Sequence, residues 1–217
     1  MIELYEDLEN KYDDFINKMT ANYELLSAKI IPDAYPDEVE EFSPNLCLME
    51  KAQLTRDDFI SKGAFPLIAN EWLKPLSEYI GTGKCLEIMA GSGMLTFGLK
   101  KLGVDIIATD KQPWKKFSNW TDIEKIDGIS AIKKYAKNRD YVIMSWPEMG
   151  DTANLILQEL RAINPNVKLI YIGEPGGCCA DASFIRNLQI VDREITRKIN
   201  KHFHSFAGIH DLVMIGK

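Results

Sequence analysis

The chain has 217 residues, of which 46% are hydrophobic and 27% charged, as in an ordinary globular protein. Its formal net charge of −6 argues against a non-specific nucleic-acid binder, which would need a broad basic face. No apolar run is long enough to span a bilayer, and the acidic start MIELYEDLEN does not have the pattern of a signal peptide. We therefore expect a cytoplasmic protein without a membrane partner.

The first third of the chain predicts helices around a proline-rich loop. Apolar residues recur at steps of three and four over residues 1–30, which predicts a helix. Residues 30–45 carry three prolines and five acids, and they predict a loop. Thr55 and Asp58 form a capping-box pattern before a second helix, and Pro66 is expected to open a third that runs to about Tyr79. We assign residues 1–80 to a helical appendage or lid.

Residues 81–217 are predicted to form a second unit, because short apolar runs alternate there with helical patterns. The runs CLEIM, VDIIATD, YVIMSW and VKLIYIGE predict strands joined through helices, and hence a mostly parallel sheet. QIVDREITRKI and GIHDLVMIGK follow without a predicted helix between them, which indicates an antiparallel hairpin at the sheet edge. The predicted fold class is α/β, with a Rossmann-like, doubly wound sheet.

The stretch CLEIMAGSGM, residues 85–94, predicts a buried strand that enters a glycine turn and then a helix. Gly91 and Gly93 fit the first two glycines of a dinucleotide turn, but Thr96 occupies the place of the third. Glu87 precedes Gly91 by four residues, where a carboxylate would repel a pyrophosphate. A ligand with a positively charged ammonium group fits this turn better.

Acids also stand where the next two strands end. Asp110, followed by Lys111, ends VDIIATD, and a carboxylate there can accept both hydroxyls of an adenosine ribose. Asp127 and Gly128 come at the expected end of the third strand, just before a helix. Asp127 is well suited to capping that helix. It also resembles the acid that accepts from the adenine amine in many class I S-adenosylmethionine-dependent methyltransferases, and the two roles stay open.

The exit of YVIMSW carries Ser145, Trp146, Pro147 and Glu148. Ser145 can orient a substrate, and Glu148 can act as a general base or bind a cation. Glu174 ends the following strand. Because ligands of open α/β sheets bind at the carboxyl ends of the strands, these acids together predict a pocket for cationic or amine-bearing groups.

LEIMAGSGM resembles motif I of the class I S-adenosylmethionine-dependent methyltransferases, in which Met89 takes the place of the first glycine. SWPE resembles the Asn/Asp/Ser-Pro-Pro-aromatic motif of amino-methyltransferases, although Trp146 and Glu148 depart from it. The pairing of SWP with GEPGGCCAD is similar to a small bacterial and phage methyltransferase-like group, over about residues 64–217. The resemblance implies S-adenosylmethionine as cofactor and a cofactor site at Glu87, Ala90, Gly91, Gly93, Asp110, Lys111, Asp127, Gly128 and Ser145. It places the methyl acceptor at Ser145, Trp146, Pro147 and Glu148.

The histidines and cysteines do not match a metal-binding or disulfide motif. His202, His204 and His210 cluster near the C-terminus, but without a further ligand we expect no metal site. The four cysteines, Cys47, Cys85, Cys178 and Cys179, show neither C-x-x-C spacing nor a disulfide pattern, and we expect reduced thiols.

The leading hypothesis is a methyltransferase acting on a small molecule or a protein, with nucleic acid a less favoured acceptor. One alternative is a catalytically silent module that binds S-adenosylmethionine or adenosine. The other is an NAD(P)-dependent oxidoreductase, which Glu87 and Thr96 disfavour. The sequence does not define the oligomeric state.

Overall fold

The computed structural model describes residues 2–37, 54–111, 117–206 and 208–217, with side chains from Asn10 onward. Part of the predicted loop at 30–45, and Cys47, lie outside these residues. Cys85, Cys178 and Cys179 are free thiols. Across the described part of the chain, no helix is both long and apolar enough to cross a bilayer.

Six strands form one sheet in the order β3-β2-β1-β4-β5-β6. The strands are β1 (Lys84–Ile88), β2 (Asp105–Asp110), β3 (Ile123–Lys125), β4 (Tyr141–Ser145), β5 (Lys168–Gly173) and β6 (Leu212–Gly216). Neighbouring strands are parallel except for β5 and β6, which are antiparallel. The central strands are buried on both faces, as a parallel sheet covered by helices requires. The predicted α/β class and the antiparallel edge are confirmed.

Helices cover both faces of the sheet. They are α1 (Ile2–Ser27), α2 (Arg56–Ser61), α3 (Asn70–Ile80), α4 (Met94–Lys101), α5 (Gly128–Tyr135), α6 (Thr152–Ile163), α7 (Ala182–Asn187) and α8 (Arg193–Asn200), with a short 3₁₀ turn at Ala136–Asn138. On one face α3 packs against α8, and on the other α5 packs against α6. The first core includes Phe15 and Trp72 together with Ile143 of the sheet, so the N-terminal segment shares a core with the strands.

Two predicted segments differ from the structure. The stretch read as a strand, QIVDREITRKI, contains the helix α8, and only its start runs beside β6, with Gln189 and Lys217 exchanging backbone hydrogen bonds. Ile195 and Ile199 are four residues apart, which is helical spacing, and Ile199 is buried. Pro66 does not open a helix either. α3 begins only at Asn70, after an N-cap, Ala69, with extended backbone, and the Leu67 carbonyl accepts a hydrogen bond from the indole N–H of Trp72 over 2.9 Å.

The predicted capping box is confirmed at the start of α2. The Thr55 hydroxyl accepts from the Asp58 amide, and the Asp58 carboxylate accepts from the Thr55 amide over 2.6 Å. This cap fixes the first turn of a helix of only six residues, and Arg56 is the first residue of that turn.

Candidate functional site

A cavity of about 630 Å³ lies at the carboxyl ends of β1, β2 and β4. In the strand order, β1 and β4 are neighbours from which the chain winds in opposite directions, and ligands of doubly wound sheets bind at such a switch point. All the proposed cofactor residues except Gly93, and all four proposed acceptor-site residues, line this cavity. It is the size of a small-molecule site, for which roughly 300–1,000 Å³ is usual.

The glycine turn has three left-handed residues at alternate positions. Met89, Gly91 and Gly93 have φ of +55°, +56° and +71°. The Met89 position therefore has the backbone conformation that favours glycine, and an L side chain there costs roughly 1–2 kcal/mol. Gly93 lies outside the cavity lining, and a Cβ on it would come within 2.8 Å of the Thr121 side chain. Conformation and packing account for Gly93 without a ligand.

Glu87 is buried at the end of β1, with 1% of its surface exposed. Its Oε2 accepts from the Thr96 backbone amide at 3.0 Å and from the Thr96 hydroxyl. Burial raises the pKa of Glu87 to about 7, against the lowering effect of the Thr96 hydrogen bonds. Thr96, which breaks the dinucleotide pattern, is therefore the polar partner of this carboxylate.

Two further acids are tied to backbone amides. Asp110 Oδ2 accepts from the Gly91 amide at 2.9 Å and so holds the glycine turn against β2. Asp127 is the N-cap of α5, where it accepts from the Ser130 amide at 3.0 Å, and these hydrogen bonds lower the pKa of its carboxyl group. Both side chains line the cavity, so Asp127 combines capping with a place at the site.

At the β4 end, Glu148 forms an ion pair with Lys111, which follows β2. Because β1 lies between β2 and β4, this pair crosses the sheet edge above the glycine turn. The hydrogen bond that Lys111 donates to the Glu148 carboxylate raises the pKa of Lys111. A carboxylate already paired with a lysine is less available as a general base, the role for which the sequence offered Glu148.

Trp146 has φ of +49°, a strained conformation for an aromatic residue. Its indole N–H donates to Asp211 Oδ2 at 3.0 Å, and its backbone amide donates to the Ile172 carbonyl at 2.7 Å. Met89 and Trp146 thus place strained backbone on both sides of the switch point. Such strain concentrates at functional sites in folded proteins.

Several residues that the sequence suggested as functional candidates do not line the cavity. Glu174 lies outside the cavity lining, and its two carboxylate oxygens accept from the backbone amides of His210 and Cys178, which lowers the pKa of its carboxyl group. His202 contacts Glu71 at 2.6 Å. Among the described residues, no group of histidine, cysteine and acidic side chains is arranged to hold a metal ion.

The N-terminal segment supplies lining residues that sequence reasoning missed. The Gly63 carbonyl accepts from the Ser92 hydroxyl at 2.9 Å, so the 62–69 segment lies directly on the glycine turn. Phe65 and Arg56 line the cavity from this side, and Cys178 lines it from the loop after β5. No local motif marks Phe65 or Arg56, because they reach the site only through the packing of distant segments, whereas Cys178 belongs to the GEPGGCCAD motif.

No family model matches the sequence, and a search of curated proteins found no match. Among solved structures, the chain is similar to a SAM-dependent methyltransferase from Agrobacterium tumefaciens, with 15% identity and a TM-score of 0.40 over 68% of this chain. It is also similar to TehB from Haemophilus influenzae, with 11% identity and a TM-score of 0.42 over 75% of this chain. A SAM-dependent methyltransferase from Archaeoglobus fulgidus matches at 15% identity and a TM-score of 0.42, over 79% of this chain and 98% of its own.

The chain spans 60% of the Agrobacterium protein and 66% of the Haemophilus protein. Likeness at these identities and TM-scores does not establish a shared activity. The cavity and its residues therefore provide the basis for the proposed function.

Proposed function

We propose that this protein is an S-adenosylmethionine-dependent methyltransferase. The observation that carries the proposal is the set of carboxylates lining one cavity around a glycine turn: Glu87, Asp110, Asp127 and Glu148. Two cationic residues, Lys111 and Arg56, also line it. Such a site suits an adenosine cofactor with a positive charge better than one with a pyrophosphate.

The cavity fits S-adenosylmethionine in volume and in charge. When bound, this cofactor supplies a methyl group activated by a positively charged sulfur. Asp110, which accepts from the Gly91 amide, is the candidate partner of the ribose hydroxyls, because an acid at the end of the second strand binds them in adenosine sites. Asp127 is the candidate partner of the adenine amine, and Glu87 that of the ammonium group of the methionine end.

The acceptor side is formed by the exit of β4. Ser145 lines the cavity, and its hydroxyl can hold an acceptor through a hydrogen bond. Phe65 and Pro66 also line the cavity, and their apolar surface would help to exclude water from it. Methyl transfer needs mainly the correct placement of two reacting groups in a site of this kind. A small molecule or a protein side chain is the proposed acceptor.

Calorimetric titration of the full chain tests the cofactor. We expect binding of S-adenosylmethionine and of its demethylated product, and weaker or absent binding of NAD. Asp110→Asn is expected to weaken the binding of S-adenosylmethionine by about tenfold or more, the effect of about 1.4 kcal/mol. Asp122→Asn, an exposed acid outside the lining, is the matched control. Tighter binding of NAD than of S-adenosylmethionine would overturn the proposal.

A silent cofactor-binding module is the second candidate, and one observation favours it. Glu148 is paired with Lys111, and the Trp146 indole is bonded to Asp211, so two of the four acceptor-site residues already have partners. A labelled-methyl screen over small molecules, protein and nucleic acid separates the two functions. Cofactor binding without methyl transfer to any of these acceptors would favour the silent module.

A further inference from the structure

Arg56 brings an arginine side chain into the cavity from the N-terminal segment. Its Nη2 donates to the Phe65 carbonyl over a long 3.5 Å, and within the described residues its buried Nε has no hydrogen-bond partner. A guanidinium has five N–H donors, and buried donors are nearly always satisfied in folded proteins. Because Arg56 lines the cavity and its terminal N–H groups make one long hydrogen bond among the described residues, these groups keep hydrogen-bonding capacity at the cavity wall.

Aromatic side chains orient this guanidinium. Its central carbon lies 4.4 Å from the centre of the Trp146 ring and 5.6 Å from that of Phe206. On the other side, the Trp146 indole donates to Asp211 Oδ2 at 3.0 Å. Stacking on an aromatic face leaves the edge of a guanidinium free to form paired hydrogen bonds. The Trp146 ring thus supports the guanidinium, and this role would account for the strained backbone of Trp146.

The charge of Arg56 is not matched by an acid of the cavity. Each of the lining carboxylates has a partner of its own. Glu87 accepts from the Thr96 amide, Asp110 from the Gly91 amide and Asp127 from the Ser130 amide. Glu148 is paired with Lys111. None of them forms an ion pair with Arg56 among the described residues. Asp211 acts on Arg56 electrostatically, but it lies outside the lining. An anionic group in the cavity would thus meet Arg56 without competition from a lining carboxylate.

We propose that Arg56, stacked on Trp146, binds an anionic group of the methyl acceptor, a small molecule that carries a carboxylate or a phosphate. The assignment of the bound molecule as a methyl acceptor rests on the proposed methyltransferase function, whereas the anion site itself does not. Because Trp146 directly follows Ser145, the bound anion would hold the rest of the acceptor beside the exit of β4. Carboxylates and phosphates are the groups that a guanidinium binds through two parallel hydrogen bonds.

The test uses the indole N–H signals of the ¹⁵N-labelled full chain, with Trp146 assigned from a Trp146→Phe variant. Benzoate and inorganic phosphate are the anionic probes, and benzamide is the neutral counterpart of benzoate. We expect a saturable shift of the Trp146 signal with at least one anion and none with benzamide. The two anions also separate a carboxylate site from a phosphate site.

Arg56→Met keeps the length of the side chain but removes its charge, and it is expected to weaken anion binding by about tenfold or more. Arg193→Met, at an exposed position of α8 outside the lining, is the matched control and should leave it unchanged. Arg56→Lys keeps the charge without the paired donors, so binding should fall to an intermediate value. This second variant decides the matter if Arg56→Met does not fold.

The absence of a saturable shift with both anions would overturn the inference, and so would equal anion affinity of the wild type and the Arg56 variants. Titration of the same variants with S-adenosylmethionine keeps the two proposals apart. Cofactor binding without an Arg56-dependent anion site leaves the proposed function standing and the inference refuted. An Arg56-dependent anion site without cofactor binding refutes the proposed function alone.

Discussion

The carboxylate of Glu87, at the end of β1, accepts a hydrogen bond from the backbone amide of Thr96 over a distance of 3.0 Å. Thr96 is the third residue of α4, whose N-cap, Gly93, has no side chain with which to cap. Glu87 therefore caps α4 from β1, in place of a side chain at the N-cap position itself. The helix dipole favours the negative charge of its carboxylate. The same carboxylate lines the cavity, so helix capping and the candidate cofactor site share one group.

The raised pKa of Glu87 predicts how stability depends on pH. Burial moves this pKa from 4.5 to about 7 on folding, so between these values the native state holds a proton that the unfolded state has lost. The contribution of Glu87 to the free energy of unfolding should therefore fall as pH rises through this window, by at most about 3 kcal/mol, and be constant above it. Glu87→Gln should remove this decline. Urea unfolding at about pH 5 and about pH 7.5 measures it.

The control is Glu24→Gln, an exposed glutamate of α1, which should keep the wild-type pH dependence. An identical slope in the wild type and in Glu87→Gln would contradict the assignment.

The left-handed backbone at Met89 predicts which substitutions it tolerates. Glycine adopts φ of +55° without strain, whereas a β-branched residue is disfavoured there. We expect Met89→Gly to be more stable than Met89→Val by about 1–2 kcal/mol, even though valine keeps more apolar surface. Thermal unfolding of the two variants makes the comparison. The opposite order of stability would show that side-chain packing outweighs conformation here.

Gly63 tests the contact between the N-terminal segment and the glycine turn. A Cβ on Gly63 would lie 2.3 Å from the Cβ of Ser92, whereas one on Gly103 would meet no atom within 4 Å. The two glycines have nearly the same φ, +91° and +89°. Gly103→Ala should therefore show the conformational cost alone, about 1 kcal/mol, and Gly63→Ala should cost at least about 1 kcal/mol more.

Ser92→Gly removes both Ser92 atoms that the new methyl group would strike. In the background of this substitution, the extra cost of Gly63→Ala should shrink towards that of Gly103→Ala, as a double-mutant cycle would reveal. An unchanged cost would mean that the clash is not with Ser92.

The ion pair between Lys111 and Glu148 predicts an effect on function rather than on stability. Both side chains are about half exposed, so either Lys111→Met or Glu148→Gln should change the free energy of unfolding by less than about 1 kcal/mol. If Glu148 acts only through this pair, the two variants should change methyl transfer to the same extent. A much larger loss in Glu148→Gln, in the same assay, would instead identify Glu148 as a base.

Local sequence identified two helix caps of this fold, although it placed the start of α3 wrongly at Pro66. Thr55 is the N-cap that its capping-box pattern predicts, and Asp127 takes the capping role that its context allowed, because a cap depends on groups within three or four residues. The segment of α8 was misread because Ile190 and Val191 begin it like a strand. No local pattern indicates that α8 packs against α3, which lies more than 100 residues earlier in the chain.

The order of acids and glycines along the chain determined the main outline of the site. Parallel strands bring their carboxyl ends to one edge, so Glu87, Asp110 and Ser145 had to meet once the strands were recognised. Only the tertiary structure decided what each group contacts. Glu174 also follows a strand, but it accepts hydrogen bonds from the backbone amides of Cys178 and His210. Arg56 reaches the cavity from a helix that begins 90 residues before Trp146. Such contacts depend on how distant segments pack, and no short-range pattern encodes this packing.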